Sequence, residues 1–528
     1  MKKIVLFVLT VLLSARLFAF DFSLKLLPAY EFSTEKLFNN AGGFSVGLGA
    51  DISPITIRGR DKLFITAQFA STNFPVKDFG IQPLIDGGIG LGYTVRILDR
   101  FSITPEFYVG LWSYSGSESL GASPVSGLVF TGKLYADYYL SPALSISAFG
   151  GFKSFYTKPS PFLNDIQVGI GIKYSLSKGL FAKNTIAVEE SEVEPLFPVF
   201  YSHYTDNPFG TITFVNNEEN DITDVTVSIL LESYMSNPFT VATIPSVARG
   251  ESFDVDLLAF LNENILGLLQ PKYDSFDVTV EYSSLGKRLS STHNLPVTVL
   301  SRNSMTWEDD RRAAAFVSGK DASAQRFARR VKAVVKNELK SGIPANVQYA
   351  AAIFGALKAF GINYVVDPSS AFTDNVGTAA VDFLQFPYQT LTYHGGDCDD
   401  LTILNCSLFE AIGIDTAFIT VPGHIFMAYD SGLTAEEVVT SKLEKGYYIE
   451  AYGKIWCPLE ITLSQDTFGL AWTYGAREWV KAGDDALLIP LDDAWNAYLP
   501  ISVPGSDTSI DVPSNEDIIK YFKEAKYY

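Results

Sequence analysis

Apolar side chains recur at every second position along residues 20–176, in segments separated by Gly, Pro, Asn, Asp and Ser. Such alternation is typical of β-strands, because successive side chains of a strand point to opposite faces of a sheet. The clear rows and three weaker ones predict eight strands, near residues 22–32, 44–52, 63–71, 89–97, 101–111, 130–140, 143–156 and 166–174.

The intervening positions carry Gly, Ser and Thr together with charged side chains of both signs, namely Arg96, Glu106, Lys133, Asp137, Lys153 and Lys173. In a transmembrane antiparallel β-barrel the apolar row faces lipid and the polar row faces the lumen. In a soluble sandwich or lipocalin-like barrel the apolar row faces inward instead. Tyr and Phe crowd the strand ends, as interfacial girdles do, and this favours the membrane barrel. The segment resembles the eight-stranded outer-membrane protein A-like barrels.

The first 19 residues have the organisation of a secretory signal peptide. A charged start at Lys2 and Lys3 precedes the mainly apolar run 4–13, which is too short to span a bilayer as a helix, and Ala19 is the small residue that cleavage needs. A short uncleaved anchor is the alternative. With the barrel pattern, this segment leads us to expect an outer-membrane protein in contact with lipid. An even strand number brings both barrel ends to one side, which is the periplasm in bacterial barrels. We therefore expect all residues after 176 in the periplasm.

The middle of the chain predicts a second β domain. Residues 177–197 contain an acidic stretch ending at Pro195, which indicates a linker. From 198 to 303, short strand-like runs return at sandwich-like spacing, among them GTITFVNN and SFDVTVEYSS. We expect an immunoglobulin-like β-sandwich without site chemistry, in which His203 and His293 are surface or packing residues.

From residue 304 the apolar residues recur at helical spacing. We treat 304–528 as one α+β domain with a C-terminal extension. An alanine-rich helix is expected from Pro344 to near Gly361, and a polar helix near 514–527. A further helix is indicated by one stripe at helical spacing, which comprises Phe327, Val331, Val334, Val335 and Leu339.

Charge and cysteine content narrow the possible partners. The formal net charge of −19 argues against nucleic acid, whose phosphates require a basic surface. Three cysteines cannot all pair with one another, so one stays free or pairs between chains. Cys406 and Cys457 are predicted to be core residues, with a disulfide between them as the alternative. There is no zinc pattern, and no metal or cofactor is expected.

The stretch YHGGDCDDL gives Cys398 an exceptional position. Asp397 is a good N-cap, and the apolar stripe that follows ends before Gly413, so Cys398 falls in the first turn of a helix. The positive end of a helix favours the thiolate, which is the nucleophilic form, although Asp399 and Asp400 oppose it. We interpret these carboxylates as a helix cap rather than as a calcium site.

A histidine would supply a cationic partner and a proton shuttle near neutral pH. His424 follows Cys398 after one helix, a turn and a strand, so the two can meet in space. A third group should orient the imidazole, and Glu460, just past Pro458, is the candidate. His394 is interpreted as a loop residue. Taken alone, Cys398 fits a capped, buried helix-start residue better than a catalytic one, and only its combination with His424 and Glu460 favours a catalytic role.

These pieces resemble the bacterial branch of the transglutaminase-like superfamily, which has a papain-like fold. GGDCDDL supplies Cys398, PGHIF supplies His424, and WCPLEIT puts Glu460 where the family usually has Asp. In FLQFPYQTL, Gln385 is a candidate oxyanion or structural contact, and Asp397 has a supporting role. The long spacing from His424 to Glu460 is consistent with an insertion at 431–446.

The resemblance implies acyl transfer from a peptide or carboxamide to Cys398, followed by hydrolysis or crosslinking. We therefore expect an outer-membrane-anchored thiol peptidase, amidase or transglutaminase that acts on periplasmic protein or peptidoglycan peptides. The alternative is a non-catalytic envelope protein whose last domain only binds such peptides.

Overall fold

A computed structural model describes residues 20–33, 42–57, 60–76, 80–115, 123–157, 160–179, 185–366, 381–441, 443–504, 506 and 509–525. The predicted signal peptide at residues 1–19 lies outside these ranges. Within them, no helix combines the length and the apolar character that a membrane crossing requires.

The first part of the chain is a closed barrel of eight antiparallel strands, in which β1 pairs with both β2 and β8. The prediction of eight strands is confirmed. Their bounds are β1 Asp21–Ser33, β2 Gly42–Ile57, β3 Asp61–Val76, β4 Gly80–Leu98, β5 Phe101–Tyr114, β6 Val125–Tyr139, β7 Leu144–Thr157 and β8 Ser160–Ser175.

The barrel carries its apolar side chains on the outside. Members of the predicted rows such as Leu48, Ile89, Leu134 and Ile170 are exposed, and the alternate side chains are buried in the lumen. The soluble alternative is therefore wrong, because its apolar row would face inward. An outward apolar surface around a polar interior is the arrangement of a transmembrane barrel.

Paired charges fill the lumen. Lys153 is fully buried and contacts Glu31 at 2.9 Å and Asp86 at 2.8 Å. In a second group, Lys25 contacts Asp51 at 2.7 Å and Glu106 at 2.6 Å. Burying unpaired charges is costly, so oppositely charged side chains have to be matched inside a narrow barrel.

A two-sheet β-sandwich follows, with sheet orders β13-β10-β9 and β12-β11-β14-β15. Both sheets contribute to one apolar core, for example through Phe214 and Val227. Short 3-10 helices lie at Pro198–Phe200, His203–Thr205 and Glu263–Gly267. The strands are β9 Ile186–Val193, β10 Gly210–Asn216, β11 Ile222–Leu230, β12 Phe239–Val247, β13 Ser252–Asp256, β14 Lys272–Ser284 and β15 Lys287–Val299.

The prediction of a linker over 177–197 is wrong for residues 186–193, which form β9. The acidic run is an edge strand that pairs with β10, buries Ile186 and leaves Glu189, Glu190 and Glu192 exposed. Charged side chains are common on edge strands, because they block pairing with another chain. The sandwich consequently begins before residue 198.

The sandwich docks onto one end of the barrel through the turn that follows β10. Glu219 accepts from Lys62 at 2.9 Å and pairs with Lys178, and its backbone carbonyl accepts from Arg60 at 2.9 Å. The amide oxygen of Asn220 accepts from Arg96 at 3.3 Å. Burial would raise the pKa of Glu219, but Lys178 and Lys62 lower it to about 2.

The C-terminal part combines eight helices and a five-stranded sheet among its described residues, and the predicted helices at 345–360 and 515–524 are confirmed. The helices are α1 Ala322–Val335, α2 Ala345–Phe360, α3 Pro387–Tyr393, α4 Cys398–Glu410, α5 Ala435–Thr440, α6 Phe468–Ala482, α7 Leu491–Trp495 and α8 Asn515–Glu524. The sheet has the order β22-β23-β21-β20-β24, and α4 packs on β20 and β21.

The strands of that sheet are β20 Thr416–Val421, β21 His424–Asp430, β22 Ile449–Ala451, β23 Lys454–Leu459 and β24 Leu487–Pro490. Two-residue strands pair as β16 Ser304–Met305 with β18 Asp382–Phe383, and as β17 Asn363–Tyr364 with β19 Gly395–Gly396. Further 3-10 helices are Asp310–Phe316, Ile461–Leu463 and Gly483–Asp485. One continuous apolar core runs from the sandwich into this part of the chain.

Candidate active site

Cys398 is the first residue of α4, and it is fully buried. The helix begins there because Asp397 is extended, with φ −88° and ψ −159°, and its carboxylate accepts the N–H of Asp400 at 3.5 Å. The hydroxyl of Thr402 donates to the carbonyl of Cys398 at 2.6 Å. The predicted N-cap is confirmed, and the thiol lies at the positive end of a capped helix.

His424 is the first residue of β21, directly after a tight turn. Gly423 has φ +74°, a left-handed conformation that favours glycine, and Val421 pairs with His424 across the hairpin. Because β21 packs on α4, the start of the strand lies close to the start of the helix. Cys398 is one of the groups that raise the pKa of His424, so the thiol and the imidazole are neighbours.

Glu460 follows β23 and holds the opposite side of the imidazole. Its Oε2 lies 2.8 Å from Nε2 of His424, which leaves Nδ1 as the ring nitrogen available to the thiol. The other oxygen, Oε1, accepts from the backbone N–H of Thr462 at 3.1 Å and from its hydroxyl at 2.5 Å. Both carboxylate oxygens are therefore engaged, and one of them reaches the ring.

The electrostatics of the group favour an imidazolium. Burial alone would lower the pKa of His424, but hydrogen bonds and negative charge from Cys398 and Glu460 raise it to about 10. Burial would raise the pKa of Glu460, yet His424 and Thr462 hold it below its ordinary value. The structure thus brings the three predicted residues together, with a hydrogen bond between His424 and Glu460.

Gln385 contacts the site through its backbone. Its N–H donates to Oδ1 of Asp400 at 2.7 Å, in the first turn of α4. Its side-chain oxygen Oε1 is buried and has no hydrogen-bond partner among the described residues. The structure therefore shows a contact between Gln385 and the helix start that is made by the backbone.

Asp397, Asp399 and Asp400 form a buried cluster whose carboxylate oxygens lie within 4.8 Å of one another. Burial, followed by the charge of the neighbouring carboxylates, raises the pKa values of Asp399 and Asp400 well above the usual range. Oxygen ligands of this type suit a hard cation. The contacts to backbone N–H groups account for the cluster as a helix cap, so we do not assign it as a metal site.

Tyr364 is a neighbour of the site that the sequence did not indicate. Its strand pairs in parallel with Gly395–Gly396, directly before the helix, and its register partner is Gly396. The side chain is 38% exposed. Burial and the negative charges of Cys398, Asp397 and Glu460 raise the pKa of Tyr364, which indicates that its hydroxyl lies near those groups.

Cys406, Cys457 and His394 are held by packing and burial within the fold. All three cysteines are free, so the alternative disulfide between Cys406 and Cys457 is wrong, and burial raises the pKa values of these two thiols far above the usual range. His394 ends α3 with φ 57° and stacks on Phe360 at 4.4 Å. Only His424, of the four histidines, lies beside Cys398.

Comparison with solved structures finds barrel proteins. Neisserial surface protein A shares 14% identity, with a TM-score of 0.23, over 29% of this chain and 96% of its own. The N-terminal β-barrel domain of Pseudomonas aeruginosa OprF shares 9% identity over 29% and 97%, with a TM-score of 0.20. The Yersinia pestis outer membrane protein Ail shares 16% identity over 29% and 99%, also at 0.20.

The part of this chain that has such a fold is the closed barrel of eight antiparallel strands described above. No model of a known protein family matches the chain, and no curated protein matches it either.

Proposed function

We propose that the protein is a cysteine acyl-transfer enzyme, a thiol peptidase, amidase or transglutaminase, that acts on peptide or carboxamide groups. The observation that carries the proposal is the position of His424, which is hydrogen-bonded to Glu460 and lies near enough to Cys398 for that residue to raise its pKa. A nucleophile, a base and an orienting carboxylate in this order are the components of covalent acyl transfer.

In the proposed reaction, the Cys398 thiolate attacks the substrate carbonyl and a carbon–sulfur bond forms. The backbone N–H of Cys398 and one further donor steady the negative oxygen of the tetrahedral intermediate. The imidazolium of His424 then donates its proton to the leaving nitrogen, and the carbon–nitrogen bond breaks. Water attacks the thioester while His424 accepts a proton, and the acid and the thiolate are released; an amine in place of water gives a crosslink.

The finer assignments belong to the same proposal. A helix that starts at the cysteine and packs on an antiparallel sheet supports a transglutaminase-like, papain-like domain at the C-terminus. The two-sheet sandwich supports an immunoglobulin-like domain before it. The outward apolar band supports an outer membrane location for the barrel, with its lipid as the contact. Because both barrel ends lie on the same side, the sandwich and the candidate site are assigned to the periplasm, with periplasmic protein or peptidoglycan peptides as substrates.

One observation favours the second candidate function, a non-catalytic domain that binds such peptides. Cys398 is 0% exposed, whereas the imidazole of His424 keeps 27% of its side-chain surface. An enzyme must admit a carbonyl carbon to the sulfur, so the binding function gains support if small reagents cannot reach the thiol.

Alkylation of the full-length protein in detergent separates the two functions. Iodoacetamide is added near pH 7, and peptide mapping by mass spectrometry gives separate rates for Cys398, Cys406 and Cys457. We expect Cys398 to react fastest, and His424→Ala to slow its labelling by roughly tenfold or more. His293→Gln serves as the matched control, because His293 lies in the sandwich on β15.

An enzyme further predicts a burst of nitrophenolate from p-nitrophenyl acetate that is lost in Cys398→Ala. Labelling of Cys398 at the rate of an ordinary thiol, unchanged by His424→Ala, would support the binding function instead.

A further inference from the structure

Asn303 joins the end of the sandwich to the segment that precedes the candidate nucleophile. The residue is 2% exposed and lies between β15 and β16. Its amide nitrogen donates to the carbonyl of Leu384 at 2.6 Å and to Oε1 of Gln389 at 2.7 Å. Its own carbonyl accepts the N–H of Leu384 at 2.8 Å. One buried side chain and its backbone therefore fix both ends of the segment 384–389.

The same segment holds the start of α4. Oε1 of Gln389 also accepts the N–H of Phe386 at 2.9 Å, which closes the turn before α3. Between these contacts, the N–H of Gln385 donates to Asp400 at 2.7 Å. Asp400 also packs so closely on Gly396 that a Cβ there would lie 2.4 Å from it, so the first turn of the helix has little room to move.

We propose that Asn303 is a positioning residue for Cys398, acting through the segment 384–389 and the carboxylate of Asp400. The inference rests on the proposed function, and it makes the sandwich part of the active-site support instead of a spacer. It concerns the orientation of the sulfur relative to His424. Asn303 acts at a distance, because its side-chain partners are Leu384 and Gln389.

The chemistry of the junction requires an amide. Asn303 donates to two oxygens at once, and a carboxylate of the same size would place negative charge against both of them. Relief of that repulsion requires the segment to shift, and Gln385 would shift with it. Arg302 strengthens the junction from the neighbouring position, because its guanidinium donates to the hydroxyl of Tyr388 at 2.7 Å.

The test compares two isosteric substitutions in the full-length protein, Asn303→Asp and Asn216→Asp. Asn216 is a matched control because it is fully buried and its amide nitrogen donates to the carbonyls of Asn220, Val247 and Ala248, all within the sandwich. Thermal unfolding and the iodoacetamide rate of Cys398 are measured for both variants between pH 5 and 10.

We expect both substitutions to lower thermal stability, but only Asn303→Asp to slow Cys398 labelling, by roughly ten- to a hundredfold, and to change the shape of its pH profile. If Asn303 had a purely structural role, Asn303→Asp and Asn216→Asp would change the Cys398 labelling rate to the same extent. If Asn303→Asp does not accumulate as folded protein, Gln389→Met removes the acceptor from the opposite side without adding charge, and the same slowing is expected.

Two outcomes are distinguishable. Wild-type labelling in Asn303→Asp or Gln389→Met, together with slow labelling in His424→Ala, would overturn the positioning role and leave the proposed enzyme intact. Wild-type labelling in all of these variants would remove the proposed function, and the positioning role with it.

Discussion

At the scale of single residues, the central feature is an imidazole held between a thiol and a carboxylate. Glu460 does more than orient the ring, because its charge is one of the causes that raise the pKa of His424 to about 10. A proton on the ring at neutral pH is the state that the proposed reaction requires for departure of the leaving nitrogen. The contribution of this raised pKa to stability is present below the unfolded value of about 6.5 and is lost as pH rises through the folded value.

The Glu460→Gln variant tests this directly. Removing the carboxylate should lower the pKa of His424 by at least about one unit, because an adjacent opposite charge commonly shifts a pKa by one to three units. Nuclear magnetic resonance of histidine-labelled protein can follow the ring, since the chain has only four histidines. A pKa that does not move between wild type and Glu460→Gln would contradict the assignment, and His203→Gln helps to identify the signals.

Spacing along the sequence was enough to predict which residues lie beside Cys398, but it could not predict contacts that depend on long-range strand pairing. Cys398, His424 and Glu460 follow one another along a helix and neighbouring strands, so their order could be read from the motif. Tyr364 could not be found in this way, because it reaches the site through a parallel two-residue pairing with Gly396. No local pattern in the sequence encodes such a contact.

At the scale of elements, the start of α4 combines two opposed effects. The carboxylate of Asp397 caps the helix, but it also lies against Asp399 and Asp400, whose pKa values it helps to raise after burial. An asparagine at this position would keep the capping oxygen and remove the repulsion.

We therefore expect Asp397→Ala to destabilise the C-terminal part by about 1 kcal/mol, the usual cost of a lost N-cap. Asp397→Asn should be at least as stable as wild type near pH 7. Denaturant unfolding followed by tryptophan fluorescence measures both variants. A loss in Asp397→Asn equal to that in Asp397→Ala would mean that the negative charge itself is required.

The strands of the barrel were predictable because lipid on one face and a polar lumen on the other impose strict alternation on every strand. The edge strand β9 was not, because three of its outward side chains are glutamates and only Ile186 is fully buried. Because β9 is stabilised mainly by backbone pairing with β10, its amino-acid composition resembles that of a linker.

At the scale of the whole molecule, the barrel and the sandwich meet at a small group of charges. Glu219 pairs with Lys62 and Lys178, which are only partly exposed, so salt should screen these pairs less than ordinary surface pairs. The lowered pKa of Glu219 means that this contribution is present above about pH 4.5, its ordinary unfolded value, and is lost as pH falls toward about 2.

Glu219→Gln should loosen this docking. We expect faster backbone hydrogen exchange in residues 216–221, because the turn loses two cationic partners. Glu281→Gln is the control, since its pair with Arg288 is about half exposed and does not involve Glu219. Unchanged exchange in Glu219→Gln would mean that the backbone contact from Arg60 alone holds the turn.

The apolar interior that the sandwich shares with the C-terminal part makes them a single folding unit. Cutting the chain between residues 303 and 304 would expose an apolar, aggregation-prone surface on each fragment, because the side chains that cover it belong to the other fragment. Replacing the sandwich or the C-terminal part alone would therefore require matching changes in the apolar residues of the other. A water-soluble fragment for crystallisation should begin near residue 185 and run to the end.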